Sequence, residues 1–142
     1  MKKVGIIGAM ELEVDTLKSK MEVKSTTTKA RMEFFEGTLN GVEVVIVRSG
    51  IGKVNAGMCT QILSDLYGVT HIINTGVAGS LNAAIDIGDI VVSTDACEHD
   101  MDVTALGYDK GVIPQMKTSF FPADRKLVET AMEVCREVTV MF

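Results

Sequence analysis

Apolar positions along this chain switch between short unbroken runs and helical stripes. Val4-Gly5-Ile6-Ile7-Gly8-Ala9 is a continuous apolar run, which fits a strand buried on both faces, as in a parallel sheet. Directly behind it, Met10, Val14, Leu17 and Met21 recur at helical spacing and form one apolar stripe. Met32–Leu39 and Val42–Arg48 predict two strands joined by Asn40-Gly41. Asn-Gly is favoured there because both residues of a tight hairpin turn need positive φ. A second helix follows Ser49-Gly50-Ile51-Gly52-Lys53, with Val54, Met58, Ile62 and Leu66 on one face. Residues 71–75 predict another buried strand, running into the glycine-rich turn Gly76-Val77-Ala78-Gly79, and residues 89–94 predict a further one. Residues 98–118 are polar and irregular. Pro122 and Asp124 announce a third helix with Leu127, Val128, Ala131, Val134 and Cys135 on its apolar side. Residues 138–142 predict one more buried strand. Strands alternating with helices predict an α/β fold.

Composition narrows the class. The 142 residues are 46% apolar and 23% charged, which predicts one domain, 1–142, with a hydrophobic core. A net charge of −5 gives no field that attracts a nucleic-acid backbone. No apolar run approaches the length of a membrane span, and the N-terminus lacks the form of a signal peptide. Cys59, Cys97 and Cys135 have neither metal-site nor redox-motif spacing. They predict reduced thiols in a cytoplasmic protein.

Ligands of open α/β sheets bind beyond the carboxyl ends of the strands. Three glycine-bearing turns fall at such ends: Gly8-Ala9-Met10, Gly50-Ile51-Gly52 and Gly76-Val77-Ala78-Gly79. Their glycines either make tight turns or let the backbone approach a ligand. At about 100° per residue, Glu13 borders the apolar stripe of the first helix while Glu11 lies further toward solvent. Glu13 is therefore either a partner of the helix dipole or a carboxylate at the mouth of the sheet. The glycines after the first strand do not form G-x-G-x-x-G, and two carboxylates at the helix start would repel a pyrophosphate, which argues against nicotinamide or flavin. His99, Asp100 and Asp102 have no second histidine nearby, so no metal is expected.

Five stretches in order resemble one family. They are Gly5-Ile6-Ile7-Gly8-Ala9-Met10-Glu11-Leu12-Glu13-Val14, Ser49-Gly50-Ile51-Gly52-Lys53-Val54, Ile73-Asn74-Thr75-Gly76-Val77-Ala78-Gly79, Gly88-Asp89-Ile90-Val91-Val92-Ser93, and His99-Asp100-Met101-Asp102-Val103-Thr104-Ala105-Leu106-Gly107-Tyr108. Together they resemble the 5′-methylthioadenosine/S-adenosylhomocysteine nucleosidases. The resemblance implies a three-layer α/β/α fold of the nucleoside phosphorylase type, with a central mixed sheet, working as a homodimer. It implies hydrolysis of the N-glycosidic bond of both nucleosides, and of 5′-deoxyadenosine in many members, releasing adenine without a cofactor. It places Glu13 as the carboxylate that activates water, Ala9, Met10 and Ile51 beside that water and the sugar, and Val77, Ala78 and Gly79 along the base and ribose. Val103, Leu106, Tyr108 and Pro114 match positions where the neighbouring subunit closes the 5′-alkylthio pocket.

The later half of the family's longer chains carries an aspartate that protonates adenine N7, a Met-Glu pair that holds the ribose, and an aromatic residue stacked on the base. None has a counterpart before Phe142. The expectation is therefore the N-terminal portion of a nucleosidase, truncated on its C-terminal side. A catalytically inactive nucleoside-binding or dimerisation fragment of the same fold is the alternative. A phosphorylase is a third reading, opposed by the acidic first turn and by the lack of any arginine before Arg31. Val77 replaces a hydroxyl residue and Leu106 an aromatic one found in some members.

Overall fold

The computed structural model describes residues 2–139. The chain forms two compact units, Met1–Ser80 and Leu81–Phe142. The first is built on β1 (Lys3–Gly8), β2 (Glu22–Lys29), β3 (Met32–Leu39), β4 (Val42–Arg48) and β5 (His71–Asn74), in the spatial order β2-β3-β4-β1-β5. β1 pairs in parallel with both β4 and β5. β2, β3 and β4 pair antiparallel, so the sheet is mixed.

Successive side chains of a strand point to opposite faces, and the unbroken apolar runs use this on both sides. Ile6, Val44 and Ile46 pack with Val14 of α1 (Glu11–Lys20) and with Met21 just after it. Ile7, Val45, Val47 and Phe34 pack with Cys59 and Leu63 of α2 (Lys53–Tyr67) on the other face. Phe34 also stacks on Tyr67, with ring centroids 5.2 Å apart. This is the expected three-layer α/β/α arrangement. Each fully buried side chain of this size stabilises it by about 1.5–3 kcal/mol.

Four elements differ from the sequence expectation. β2 has no apolar alternation because all its residues are exposed. It is an edge strand, held by β-branched threonines and carrying the charges that keep an edge from pairing with another chain. On α2 the buried residues are Cys59 and Leu63 rather than the stripe from Val54 to Leu66, and Val54 is 83% exposed. The helix is apolar on two sides, and Gly5 selects between them. A Cβ at Gly5 would stand 3.0 Å from Leu63 Cδ1, so the missing side chain makes room for Leu63 on the sheet.

In the second unit, residues 89–94 are not a strand, and Ile90 and Val91 are exposed. An interior strand is held by ladders with its neighbours, and among the described residues this segment has none. The unit's strands are instead β6 (Asp95–Cys97) and β7 (Phe120–Pro122), an antiparallel ribbon. The third helix, α3 (Arg125–Thr139), starts as expected, with Asp124 Oδ1 accepting the Leu127 N–H at 2.9 Å. It continues through Val138 and Thr139, so the strand expected over 138–142 does not begin there. Helical hydrogen bonding continued from the preceding turns overrides the strand preference of two β-branched residues. The rest of that strand, residues 140–142, lies outside the described residues.

The two hairpin turns of the sheet offer a test. Asn40 and Gly41 have φ of 48° and 79°, as the sequence predicts. Ala30 and Arg31, joining β2 to β3, also have positive φ, 49° and 64°, where residues with a Cβ are strained by about 1–2 kcal/mol each. Replacing them together, Ala30→Asn with Arg31→Gly, should stabilise the protein by about 1 kcal/mol. Urea unfolding should show a higher midpoint at an unchanged slope. An unchanged midpoint would mean the turn carries no strain.

Candidate functional site

β4, β1 and β5 run in parallel, so their carboxyl ends open on one edge of the first unit. Gly8 lies level with Arg48, and Ile7 with Asn74. One more hydrogen bond extends each ladder: Ser49 N–H donates to Gly8 O and Thr75 N–H to Ile7 O, both at 2.9 Å. The turns holding Ala9 and Met10, Ile51, and Val77, Ala78 and Gly79 thus leave adjacent strands at nearly one level. Ala9 and Met10 are partly buried, while Ile51 and Val77 to Gly79 are exposed.

Glu13 joins two of these turns. Its Oε2 accepts the Met10 N–H at 2.8 Å, and its Oε1 accepts the Val77 N–H at 3.0 Å. The first bond caps the start of α1 in the manner of a capping box. The second reaches across 64 residues to the turn after β5 and has no capping function. The Met10 and Val77 amides, with a smaller contribution from Ala9, hold the Glu13 carboxyl below the ordinary glutamate value. It is ionised at neutral pH and still has lone pairs to accept from a water.

Glu11 has a different environment. Its Oε1 accepts from Lys18 Nζ, and its Oε2 pairs with Arg48 Nε at 3.1 Å. Lys18 also lies 4.4 Å from the Phe35 ring centroid. The Lys18 hydrogen bond, assisted by Arg48, lowers the Glu11 carboxyl as well. Glu11 therefore neutralises two cations on the β3–β4 side of α1, while Glu13 serves the β5 side.

Two residues escaped the sequence reading. The side-chain amide of Asn55 donates to Ile51 O at 2.8 Å, and the buried Ser49 donates its hydroxyl to Gly50 O at 2.9 Å. Both fix the second turn. An asparagine four positions after Ile51, at the opening of a helix, was the only signal available.

The remaining expected residues lie in the second unit. Val103 precedes a single 3-10 turn, Thr104–Leu106. Leu106 and Tyr108 are exposed, and Pro114 is partly buried. Asp102 accepts the Thr104 N–H at 3.2 Å and its hydroxyl at 2.8 Å, so it holds the chain where it enters that turn. His99 Nδ1 and Asp100 Oδ1 are 4.0 Å apart. Among the described residues, no three His, Cys, Asp or Glu side chains converge in a metal-binding group.

The lowered Glu13 carboxyl makes a pH prediction. A carboxyl depressed in the folded state adds stability above its unfolded pKa of about 4.3, and that stability is lost as pH falls through the folded value. The melting-temperature difference between wild type and Glu13→Gln should be largest above about pH 5 and shrink below about pH 4. A difference that stays constant over that range would mean the two amide bonds are absent in solution.

Known proteins share this arrangement. A family model described as the phosphorylase superfamily matches residues 3–141. The 5′-methylthioadenosine/S-adenosylhomocysteine nucleosidase of Halalkalibacterium halodurans is 45% identical over 140 residues, covering 99% of this chain and 60% of that protein. A nucleosidase structure from Colwellia psychrerythraea, solved with adenine, aligns at a TM-score of 0.88 and 45% identity, covering 93% of this chain and 54% of that one. The Neisseria meningitidis enzyme with methylthio-immucillin-A aligns at 0.92 and 39% identity, covering 97% and 59%. The chain spans at most 60% of the length of these three proteins. On this sequence match and this fold, the chain belongs to the phosphorylase superfamily and is similar there to the 5′-methylthioadenosine/S-adenosylhomocysteine nucleosidases.

Proposed function

We propose that the protein containing this chain hydrolyses the N-glycosidic bond of 5′-methylthioadenosine and S-adenosylhomocysteine, and accepts 5′-deoxyadenosine, releasing adenine. The observation that carries this reading is the Glu13 carboxylate, held by the Met10 and Val77 amides where the three parallel strands end. Cleavage of this bond passes through a sugar with oxocarbenium character. Glu13 orients a water toward the anomeric carbon and takes its proton as the new C–O bond forms, while the C–N bonding pair leaves with the base, which gains a proton at nitrogen to depart as neutral adenine. Ala9, Met10 and Ile51 line the water and sugar, and Val77, Ala78 and Gly79 the base and ribose. The protein works as a homodimer, in which Val103, Leu106, Tyr108 and Pro114 of one copy close the 5′ pocket of the other. The two compact units belong to one domain, a reading supported by a family match that runs through both.

A cytoplasmic location is part of the same reading, resting on three cysteines with neither metal-site nor redox-motif spacing. Cys59 is buried, and burial pushes its thiol up to about 11, where it is almost wholly protonated and inert.

Adenine release from either nucleoside tests the reading, with intact mass measured on the same sample. Glu13→Gln should lower kcat by about 10²- to 10⁴-fold in phosphate-free buffer. Turnover that Glu13→Gln leaves intact would remove Glu13 from the mechanism. Turnover that needs inorganic phosphate would make the protein a phosphorylase.

A further inference from the structure

We propose that Gly76 is a positioning residue for Glu13: its missing side chain is the seat on which the carboxylate lies. The inference rests on the nucleosidase reading for its function, and on geometry for the seat itself. A Cβ at Gly76 would stand 2.5 Å from Glu13 Oε1, 2.9 Å from Cδ and 3.3 Å from Oε2. Every heavy atom of the carboxylate thus lies within contact distance of the space a side chain at 76 would fill. Gly8 leaves room for the same side chain. A Cβ at Gly8 would stand 3.1 Å from Glu13 Cβ and 2.7 Å from Val14 Cγ1. The side chain thus lies in space left by two glycines, one ending β1 and one in the turn after β5.

Conformation does not explain the residue at 76. Gly76 does not have a positive φ, so its backbone suits any amino acid. Gly79, in the same turn, has nothing within 4 Å of its Cβ position. Within this turn, only Gly76 is a glycine for the sake of a neighbour. The geometry also couples seat and bond, because the amide that holds Oε1 belongs to Val77, the next residue. A methyl group at 76 must push the carboxylate off the Val77 N–H, because it would overlap Oε1 itself. The groups that lower the Glu13 carboxyl are backbone amides alone, so no charged side chain would compensate for their loss.

The test is Gly76→Ala in the full chain, with ¹³C NMR titration of the glutamate carboxyls. The Glu13 resonance is assigned by its loss in Glu13→Gln. The Gly76→Ala substitution should move the Glu13 titration up toward the ordinary glutamate range. It should lower kcat for methylthioadenosine by about 10- to 100-fold, with KM changed by less than about threefold. A folded Gly76→Ala protein whose Glu13 titrates as in wild type overturns the seat. Should Gly76→Ala fail to fold, the double variant Glu13→Ala/Gly76→Ala decides. Recovery of a cooperative melt supports the seat, because the clashing carboxylate is gone, and failure to recover overturns it. Wild-type protein that releases no adenine would instead overturn the nucleosidase reading, while the titration and the double variant still decide the seat.

Discussion

The parallel register of β4, β1 and β5 is the constraint from which the site follows. β1 pairs on both sides, Gly8 with Arg48 and Ile7 with Asn74, so all three turns emerge together. That register is set by packing, since Ile6 and Ile7 must face different helices. A slip of one residue would exchange the faces. It would also move the Val77 amide by about 3.3 Å, more than its hydrogen bond to Glu13 can stretch. The apolar alternation that fills the core therefore also places a catalytic candidate.

In the proposed function, a structural and a chemical role share the Glu13 side chain. As the third residue of its helix it satisfies the Met10 amide, which a glutamate at any helix start can do. The Val77 bond ties α1 to the end of β5 and orients the carboxylate along the strand ends. Glu11 completes the division of labour. It pairs with Lys18 and Arg48, which neutralises two cations beside the first turn. In the proposed function the acidic first turn opposes phosphate through two residues acting differently: Glu11 occupies two cations, and Glu13 supplies fixed negative charge.

Much of this was legible in the sequence, for identifiable reasons. Asn40-Gly41 fixed the hairpin, and β3 and β4 have the predicted limits because alternation and turn chemistry agree there. Asp124 announced α3. The unread parts are those where partners decide. β2 is an edge strand with no apolar face to display, and its turn uses Ala30 and Arg31, which carry no turn signal. The buried side of α2 depends on Gly5 from another element. Residues 89–94 have strand composition but no ladder among the described residues. At the site, Glu13 could be placed at the helix start, but its bond to Val77 could not be read from spacing. Gly76 was visible only as one glycine of a turn, because a close approach leaves no mark in composition.

The lowered Glu13 carboxyl bears on the kind of catalysis available. An efficient general base has a pKa near the working pH, and the amides of Met10 and Val77 move Glu13 the other way. Such a carboxylate is a weak base and would be poorly suited to deprotonate water ahead of bond formation. It suits a reaction in which the electrophile does most of the activation. A sugar with oxocarbenium character draws electrons from the approaching water, whose proton becomes acidic only as the C–O bond forms. In the proposed reaction the carboxylate then has to orient the water and accept a proton late. The amide bonds serve this role twice, fixing both oxygens and keeping them ionised so that neither becomes a donor. A protonated or displaced Glu13 would lose the orientation and the negative charge together. The geometry of the seat therefore matters more to this mechanism than the strength of the base.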